Sequence, residues 1–200
     1  DVTEENSTEE SGATIVAVKL GNYAQKGIIK ISKTGEVFAT VTAADGVYQP
    51  VYTVQGLAGA TYEIKAAADI YTPDGTLRCS AGEVVDTVTT GADGMAESKP
   101  LYLGKYEITE MKAPDGMVVN KDAHTAELVY AGQEIEITET AAGFCNDRQK
   151  ARISLSKVLE QNKQFGIGMN NELSAVTFGF YAAEELTAAD GSVIPADGLI

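Results

Sequence analysis

The sequence predicts an all-β protein built from sandwich-like units. Asp-Gly dipeptides, which favour tight hairpin turns, recur along the chain at 45–46, 74–75, 93–94, 115–116, 190–191 and 197–198. Short runs rich in β-branched and aromatic residues lie between these turns, and most of them alternate apolar and polar side chains. No long amphipathic helical pattern is evident. Short alternating strands with turns at this spacing are typical of a β-sandwich.

Two blocks of sequence recur in the same order. Gln25–Lys33 (QKGIIKISK) aligns with Gln149–Lys157 (QKARISLSK), 124 residues further on. Ala60–Ile70 (ATYEIKAAADI) aligns with Val176–Leu186 (VTFGFYAAEEL), 116 residues further on. Two matched blocks in one order indicate tandem domains.

The repeat sets the expected domain boundaries. We predict a complete unit at 25–148 and the N-terminal part of a second unit at 149–200, because the second copy stops before any match to the later strands. Residues 1–24 are either a plain N-terminal tail or the closing strand of a preceding unit. In the second case Asn22 corresponds to Asn146, at the same separation of 124 residues.

Composition excludes several classes of function. The formal net charge is −14, which argues against nucleic acid and anionic membranes as partners. No apolar run approaches the roughly 20 residues that span a bilayer. The acidic N-terminal stretch does not resemble a signal peptide, and no sorting signal follows, so we expect such signals outside this fragment if they exist.

Metal and disulfide chemistry have little support in the sequence. Two well-separated cysteines, Cys79 and Cys145, make neither a metal site nor a disulfide framework, and the pattern leaves open whether they pair. Cys145 is out of phase with Asn146 and is expected to face away from the core. His124 has no cysteine or second histidine near it. We expect no metal and no cofactor.

Three predicted strands each place a polar side chain on the core face. Such a placement is costly unless the group is neutralised or paired. A lysine, a glutamate and an amide on core faces of one unit can react with one another to form a covalent bond. The polar residues and their apolar neighbours in the same phase are Lys33 with Ile29 and Ile31, Glu110 with Tyr106 and Ile108, and Asn146 with Phe144.

Three motifs resemble the collagen-adhesin B-type domains (SpaA-like, prealbumin-like) of Gram-positive surface adhesins and pilins. KISKTG resembles the first strand of that family, and GLAGATYEI at Gly56–Ile64 resembles its second motif. LYLGKYEITEMKAPDGM resembles its glutamate box, with Met117 where tyrosine is usual. The resemblance covers about 26–147 and again 150–200. It implies a prealbumin-like, inverse immunoglobulin-like β-sandwich.

The resemblance also implies an intramolecular Lys–Asn isopeptide bond. By position, Lys33 is the nucleophile, Asn146 the acceptor and Glu110 the catalytic acid. The physics agrees, because burial favours the neutral, nucleophilic amine and the neutral carboxylic acid. Such a protein reacts once with itself and is not a turnover enzyme. The alternative is that Lys33 extends to solvent and forms an ordinary ion pair with Glu110.

Other lysines and one asparagine are secondary candidates. Lys157 matches Lys33, but the glutamate and asparagine that would pair with it are absent from this chain, so we predict that it is unreacted. Asn22 would be the acceptor of a preceding domain. Lys30 has the wrong phase to compete with Lys33, and Lys26 is expected to precede the strand.

These features predict a structural stalk or spacer segment of a bacterial surface adhesin. Its expected location is extracellular, anchored to the cell wall through regions outside this fragment, and its expected partners are neighbouring repeats of the same protein. The alternatives are an adhesin module that binds a host matrix protein or glycan, and a sortase-linked pilin subunit.

Overall fold

The computed structural model describes residues 7–10, 13–16 and 23–200 of the chain. Within those residues, the regular structure is almost entirely β, with one 3₁₀ turn at Glu172–Ala175. The strands are β1 Ser7–Glu10, β2 Ala13–Val16, β3 Lys26–Ala44, β4 Val47–Gly56, β5 Thr61–Ala66, β6 Ile70–Tyr71, β7 Leu77–Cys79, β8 Val84–Thr89, β9 Met95–Glu97, β10 Leu101–Tyr102, β11 Gly104–Lys112, β12 His124–Leu128, β13 Ile137–Asn146, β14 Leu186–Thr187 and β15 Val193–Ile194.

Two sheets pack face to face around one apolar core. In the first sheet, β3 pairs with β4, β9, β10 and β13; in the second, the strand order is β12-β11-β5-β8. The strands alternate buried and less buried residues, so each sheet presents one face to the core. Ile29 and Ile31 of the first sheet and Tyr62, Ile64 and Ile108 of the second are fully buried in that core. The predicted all-β sandwich is confirmed.

The first and last strands of this sandwich lie side by side and run in the same direction. β13 pairs with β3 in parallel register, with Phe144 opposite Lys33 and Asn146 opposite Gly35. β13 is one continuous strand that joins most of the sequence run EIEITETA (134–141) to the run AGFCND (142–147). Its pairing with β3 runs without a break from Ile137 to Asn146.

Strand β3 continues well beyond its pairing with β13. Its outer part forms a long antiparallel hairpin with β4, closed by a turn at Asp45 and Gly46, whose φ angles are 52° and 79°. The sequence run VFATVT at 37–42 is therefore a continuation of β3 and not a strand of its own. We call residues 36–56 the hairpin arm.

Residues 151–160 differ from the sequence expectation. They match the first strand of the 25–148 unit, but they form no strand, and Ile153, Leu155 and Lys157 are exposed. In the 25–148 unit the matching strand is held by pairing on both edges. Among the described residues no segment pairs with 151–160, and an unpaired strand is not stable by itself.

The last part of the chain does repeat the local structure of an earlier part. The β6–β7 turn and the β14–β15 turn each contain a glycine in the left-handed conformation, Gly75 (φ 80°) and Gly191 (φ 84°). Two hydrogen bonds of the first turn recur 116 residues later: Thr72 N to Thr76 O (3.0 Å) matches Ala188 N to Ser192 O (2.8 Å), and Gly75 N to Thr72 O (2.8 Å) matches Gly191 N to Ala188 O (3.0 Å). Beyond the turn the later copy is one residue shorter, so Ala66 N to Glu83 O (2.9 Å) matches Ala182 N to Gly198 O (2.9 Å).

Candidate functional site

The sandwich buries the three polar side chains that the strand phases placed on its core face. Lys33 on β3 is 1% exposed, Glu110 on β11 is 2% exposed and Asn146 at the end of β13 is 3% exposed. β3 and β13 are neighbours in one sheet, and β11 faces them from the other. The two sheets therefore bring the lysine and the asparagine together and set the glutamate over both.

Glu110 contacts both of the other side chains. Its Oε1 lies 2.8 Å from Lys33 Nζ. The Asn146 amide Nδ2 donates to Glu110 Oε1 at 3.0 Å and to Oε2 at 3.1 Å. Lys33 Nζ in turn donates to Asn146 Oδ1. The amine thus lies against the amide carbonyl, while the carboxyl group lies against the amine and the amide nitrogen. Lys33 does not extend to solvent as the alternative required.

Aromatic rings enclose this trio on the core side. The ring centroids of Tyr62 and Phe144 are 4.6 Å apart. Lys33 Nζ lies 5.9 Å from the Tyr62 centroid and 6.0 Å from the Phe144 centroid. The Tyr62 hydroxyl donates to Glu110 Oε1 at 3.4 Å. Burial, and then the nearby Glu110 carboxylate, raise the pKa of Tyr62 far above its ordinary value, so its hydroxyl remains a donor.

A backbone amide completes the contacts of Glu110. Asn120 N donates to Glu110 Oε2 at 2.8 Å from the loop between β11 and β12. Sequence analysis did not identify this contact, since a backbone donor leaves no signal in residue type. It also missed the Tyr62 hydroxyl, although a tyrosine in core phase needs a partner for that group.

The backbone of Lys33 is fixed by two loops. Lys33 N donates to Gly94 O at 2.7 Å, and Leu57 N donates to Lys33 O at 3.0 Å. Gly94 has a φ of 78°, and a Cβ added there would lie 2.4 Å from Lys33 O and 2.6 Å from the Gly56 Cα. Only glycine allows this close approach, so Gly94 positions the lysine without touching its side chain.

We expect Gly94→Ala to displace Lys33 and to destabilise the sandwich by about 2–5 kcal/mol, from backbone strain together with overpacking. Gly75→Ala is the matched control, because Gly75 has a similar φ of 80° but open space around it. Denaturant titration of both variants checks the difference. Equal losses of stability in the two variants would show that the contact with Lys33 is unimportant.

The other candidate residues lie apart from the trio. Lys30 points to the opposite face of β3 and pairs with Glu139 at 2.7 Å. Lys26 is the first residue of β3, and its Nζ lies 4.8 Å from the Tyr102 ring centroid. Lys157 is exposed, and Asn22 lies outside the described residues.

The cysteines and the metal-ligating side chains form no further site in the described part of the chain. Cys79 is partly buried, Cys145 is exposed as expected, and both are free thiols. No group of three or more His, Cys, Asp or Glu side chains there is arranged to hold a metal ion. No helix among those residues is long and apolar enough to cross a membrane.

Comparison with known families identifies the class of domain that carries the site. Residues 51–142 match the family model described as SpaA, prealbumin-like fold domain. This part of the chain resembles a SpaA-type, prealbumin-like domain, as the glutamate box predicted. The match includes Glu110 and ends before Asn146, and Lys33 precedes it. The roles of Lys33 and Asn146 therefore depend on the geometry of the trio.

One curated relative and several solved structures are similar to this chain. The "Trypsin-resistant surface T6 protein" of Streptococcus pyogenes serotype M6 is 32% identical over 74 residues, which are 36% of this chain and 14% of that protein. GBS52, the minor pilin of Streptococcus agalactiae, has a TM-score of 0.41 at 15% identity, covering 67% of this chain and 49% of that one. The major pilin SpaD of Corynebacterium diphtheriae has a TM-score of 0.39 at 22% identity, covering 62% and 30%.

Proposed function

We propose that this chain is a structural segment of a bacterial surface stalk, stabilised by an autocatalytic isopeptide bond between Lys33 and Asn146. The observation that carries the proposal is the buried trio in which Glu110 contacts both the amine and the amide. The bond joins Lys33 Nζ to Asn146 Cγ and releases the amide nitrogen as ammonia.

The proton movements of this reaction balance through Glu110 alone. Lys33 first transfers a proton from Nζ to Glu110 Oε1, which leaves a neutral amine and a neutral acid. The amine attacks Asn146 Cγ, and the acid protonates Nδ2 so that the carbon–nitrogen bond breaks and ammonia leaves. Glu110 then accepts the second proton that Nζ loses. The ion pair is thus replaced by an amide and a neutral acid.

The folded core favours this outcome in two ways. An ion pair enclosed by aromatic rings lacks solvation, so its conversion to neutral products removes charge from the core. The fold also holds the reacting groups in contact, and well-oriented intramolecular reactions reach effective molarities of about 10⁵–10⁸ M. The Tyr62 hydroxyl and the Asn120 amide keep the carboxyl group in place throughout.

The position of the bond suits a domain that carries load. It would join the first strand of the sandwich to the last, and these two strands are parallel neighbours. A force applied at the two ends of the 25–148 unit would pass from β3 to β13 through the bond. The chain between them, residues 34–145, would then carry little of the load, and its unfolding would not lengthen the stalk.

The relatives support a surface location and a structural role. The chain spans about one seventh of the curated relative, whose printed name describes a trypsin-resistant surface protein, and the similar structures include pilin subunits. We propose that this segment lies on the outer surface of a Gram-positive cell and packs beside further units of its own kind. A host matrix protein or glycan remains the alternative partner.

The intact mass of the purified chain tests the proposal. We expect a mass about 17 Da below that of the sequence, which corresponds to one lost ammonia. Lys33→Arg should restore the full mass. Lys30→Arg is the matched control and should keep the deficit, because Lys30 lies on the outer face of the same strand. A wild-type chain with its full mass would contradict the proposal.

A further inference from the structure

The hairpin arm reaches beyond its own sandwich and contacts the last residues of the chain. Ala189 N donates to Phe38 O at 3.0 Å, and Asp190 N donates to Ala39 O at 3.2 Å. Val41 N donates to the Ser192 hydroxyl at 2.8 Å. The β14–β15 turn at 189–192 is therefore held against the arm by main-chain hydrogen bonds as well as by a side chain.

A second contact lies near the tip of the arm. Tyr48 N donates to Leu199 O at 2.7 Å, and Val47 forms a parallel bridge with Leu199. Leu199 also bridges Tyr181. Because the later copy is one residue shorter after its turn, the corresponding pair in the earlier copy is Lys65 with Val84, at the start of edge strand β8. Strand β4 of the arm thus pairs with Leu199, the residue at which the edge strand of the later copy would begin.

The arm is also attached at the exit of the first sandwich. The Arg148 guanidinium lies 4.2 Å from the ring centroid of Tyr52 on the arm. Gln149 N donates to Gly116 O at 2.9 Å, which holds the chain against the sandwich at this point. The chain therefore leaves the first unit beside the arm, and the arm contacts the next part of the chain.

We propose that the hairpin arm of each unit clasps the turn face of the unit that follows it and thereby fixes the angle between consecutive units. The turn face is the β14–β15 turn together with the start of the next edge strand, residues 188–199. Its partner is a β-hairpin from the preceding unit, recognised mainly through main-chain hydrogen bonds, as in strand addition to a sheet edge. This inference rests on the proposed tandem arrangement.

The complete unit carries the same face, and in the described structure no arm covers it. Its turn residues Asp74 and Thr76 are exposed, as is Val84 at the start of β8. Next to them, Tyr71 and Pro73 line an open groove of about 1080 Å³, together with Tyr23 at the entry of the chain. A preceding unit would be tethered at that entry, so its arm would meet this face. Pro73 corresponds to Ala189, whose N–H donates to the arm at Phe38 O. Because proline has no N–H, an arm at this face would lack that hydrogen bond.

Amide hydrogen exchange on the full chain tests the clasp. In a shortened-arm variant, residues 41–50 are replaced by Asn-Gly, which joins the paired residues Thr40 and Val51 by a two-residue turn. The acceptors of Ala189 N and Asp190 N, Phe38 O and Ala39 O, remain in this variant, but the contacts from Val41 and Tyr48 that hold the turn against them are lost. We therefore expect exchange at Ala189 and Asp190 to become about ten-fold faster. Asp45→Asn is the matched control, since it keeps the arm length and the turn.

Two further measurements on the same sample show whether the shortened-arm variant is folded and whether it is crosslinked. Unchanged exchange at Ile64 and Ile108 would show that the sandwich is folded, and the mass deficit reports the crosslink separately. Unchanged exchange at Ala189 and Asp190 in a folded shortened-arm variant would overturn the clasp. If that variant fails to fold, Ser192→Ala gives the same test against Thr76→Ala, the equivalent turn residue without an arm.

The same measurement applies to the face of the complete unit. A copy of residues 25–148 placed directly before Gln25 recreates the sequence junction that occurs at Arg148 and Gln149. We expect slower exchange at Asp74 in this extended chain than in the natural one. Equal exchange at Asp74 in the two chains would contradict the proposal that every unit clasps the next one. The clasp would then be restricted to the contact between the hairpin arm and residues 188–199.

Discussion

Glu110→Gln is expected to leave the sandwich folded and to abolish the crosslink. Glutamine has nearly the same shape and can still accept from the Asn146 amide and the Asn120 backbone. It cannot take a proton from Lys33 or return one to the leaving nitrogen. The chain should therefore have the full mass of its own sequence, about 17 Da above that of a crosslinked chain, while its circular dichroism stays that of a β protein.

Glu107→Gln is the matched control for this variant. Glu107 lies on the same strand, but on the exposed face, and we expect its substitution to leave the mass deficit unchanged. A Glu110→Gln chain that still lacks one ammonia would show that proximity alone drives the reaction. Glu110 would then be a structural partner of Lys33 and not the proton carrier.

The double variant Lys33→Met/Glu110→Gln separates a covalent crosslink from a buried ion pair. Loss of a crosslink that closes the loop between positions 33 and 146 should lower the free energy of unfolding by about 4–5 kcal/mol, by analogy with disulfides. The melting temperature should fall by roughly 15–25 °C. Replacement of both members of a simple buried ion pair is, in contrast, often neutral or stabilising.

Thermal unfolding and trypsin digestion measure this effect on stability. Lys30→Met is the control, since removal of its surface ion pair should cost less than about 1 kcal/mol. Digestion should be slow for the wild type and the control and much faster for the double variant, because proteolysis follows the opened state. A double variant as stable as the wild type would indicate that no covalent bond had formed.

The strand phases were sufficient to predict which polar side chains face the core. Lys33, Glu110 and Asn146 each follow buried apolar residues at a spacing of two, and this period is fixed by the geometry of any strand. The Asp-Gly pairs at 45–46, 74–75 and 190–191 close hairpins, and Gly46, Gly75 and Gly191 there have positive φ; those at 93–94 and 115–116 lie in connections that are not tight hairpins. Local chemistry therefore defined the turns and the orientation of the strands.

The pairing of strands that are distant in the sequence could not be predicted in this way. The parallel pairing of β3 with β13 and the length of the hairpin arm depend on which strands meet, and no local pattern encodes that. Residues 151–160 show the converse. Their alternation copies a true strand, yet without a partner in the described chain they remain irregular, because strand formation requires pairing.

The peptide map of the purified wild-type chain tests the central claim most directly. Proteolysis followed by tandem mass spectrometry should yield one branched peptide that joins the segment around Lys33 to the segment around Asn146, with one ammonia missing, about 17 Da. The same digest should contain Lys30 and Lys157 only in linear peptides. Recovery of the Lys33 and Asn146 segments as separate, unmodified peptides would contradict the account and reduce the trio to an ion pair in a folded core.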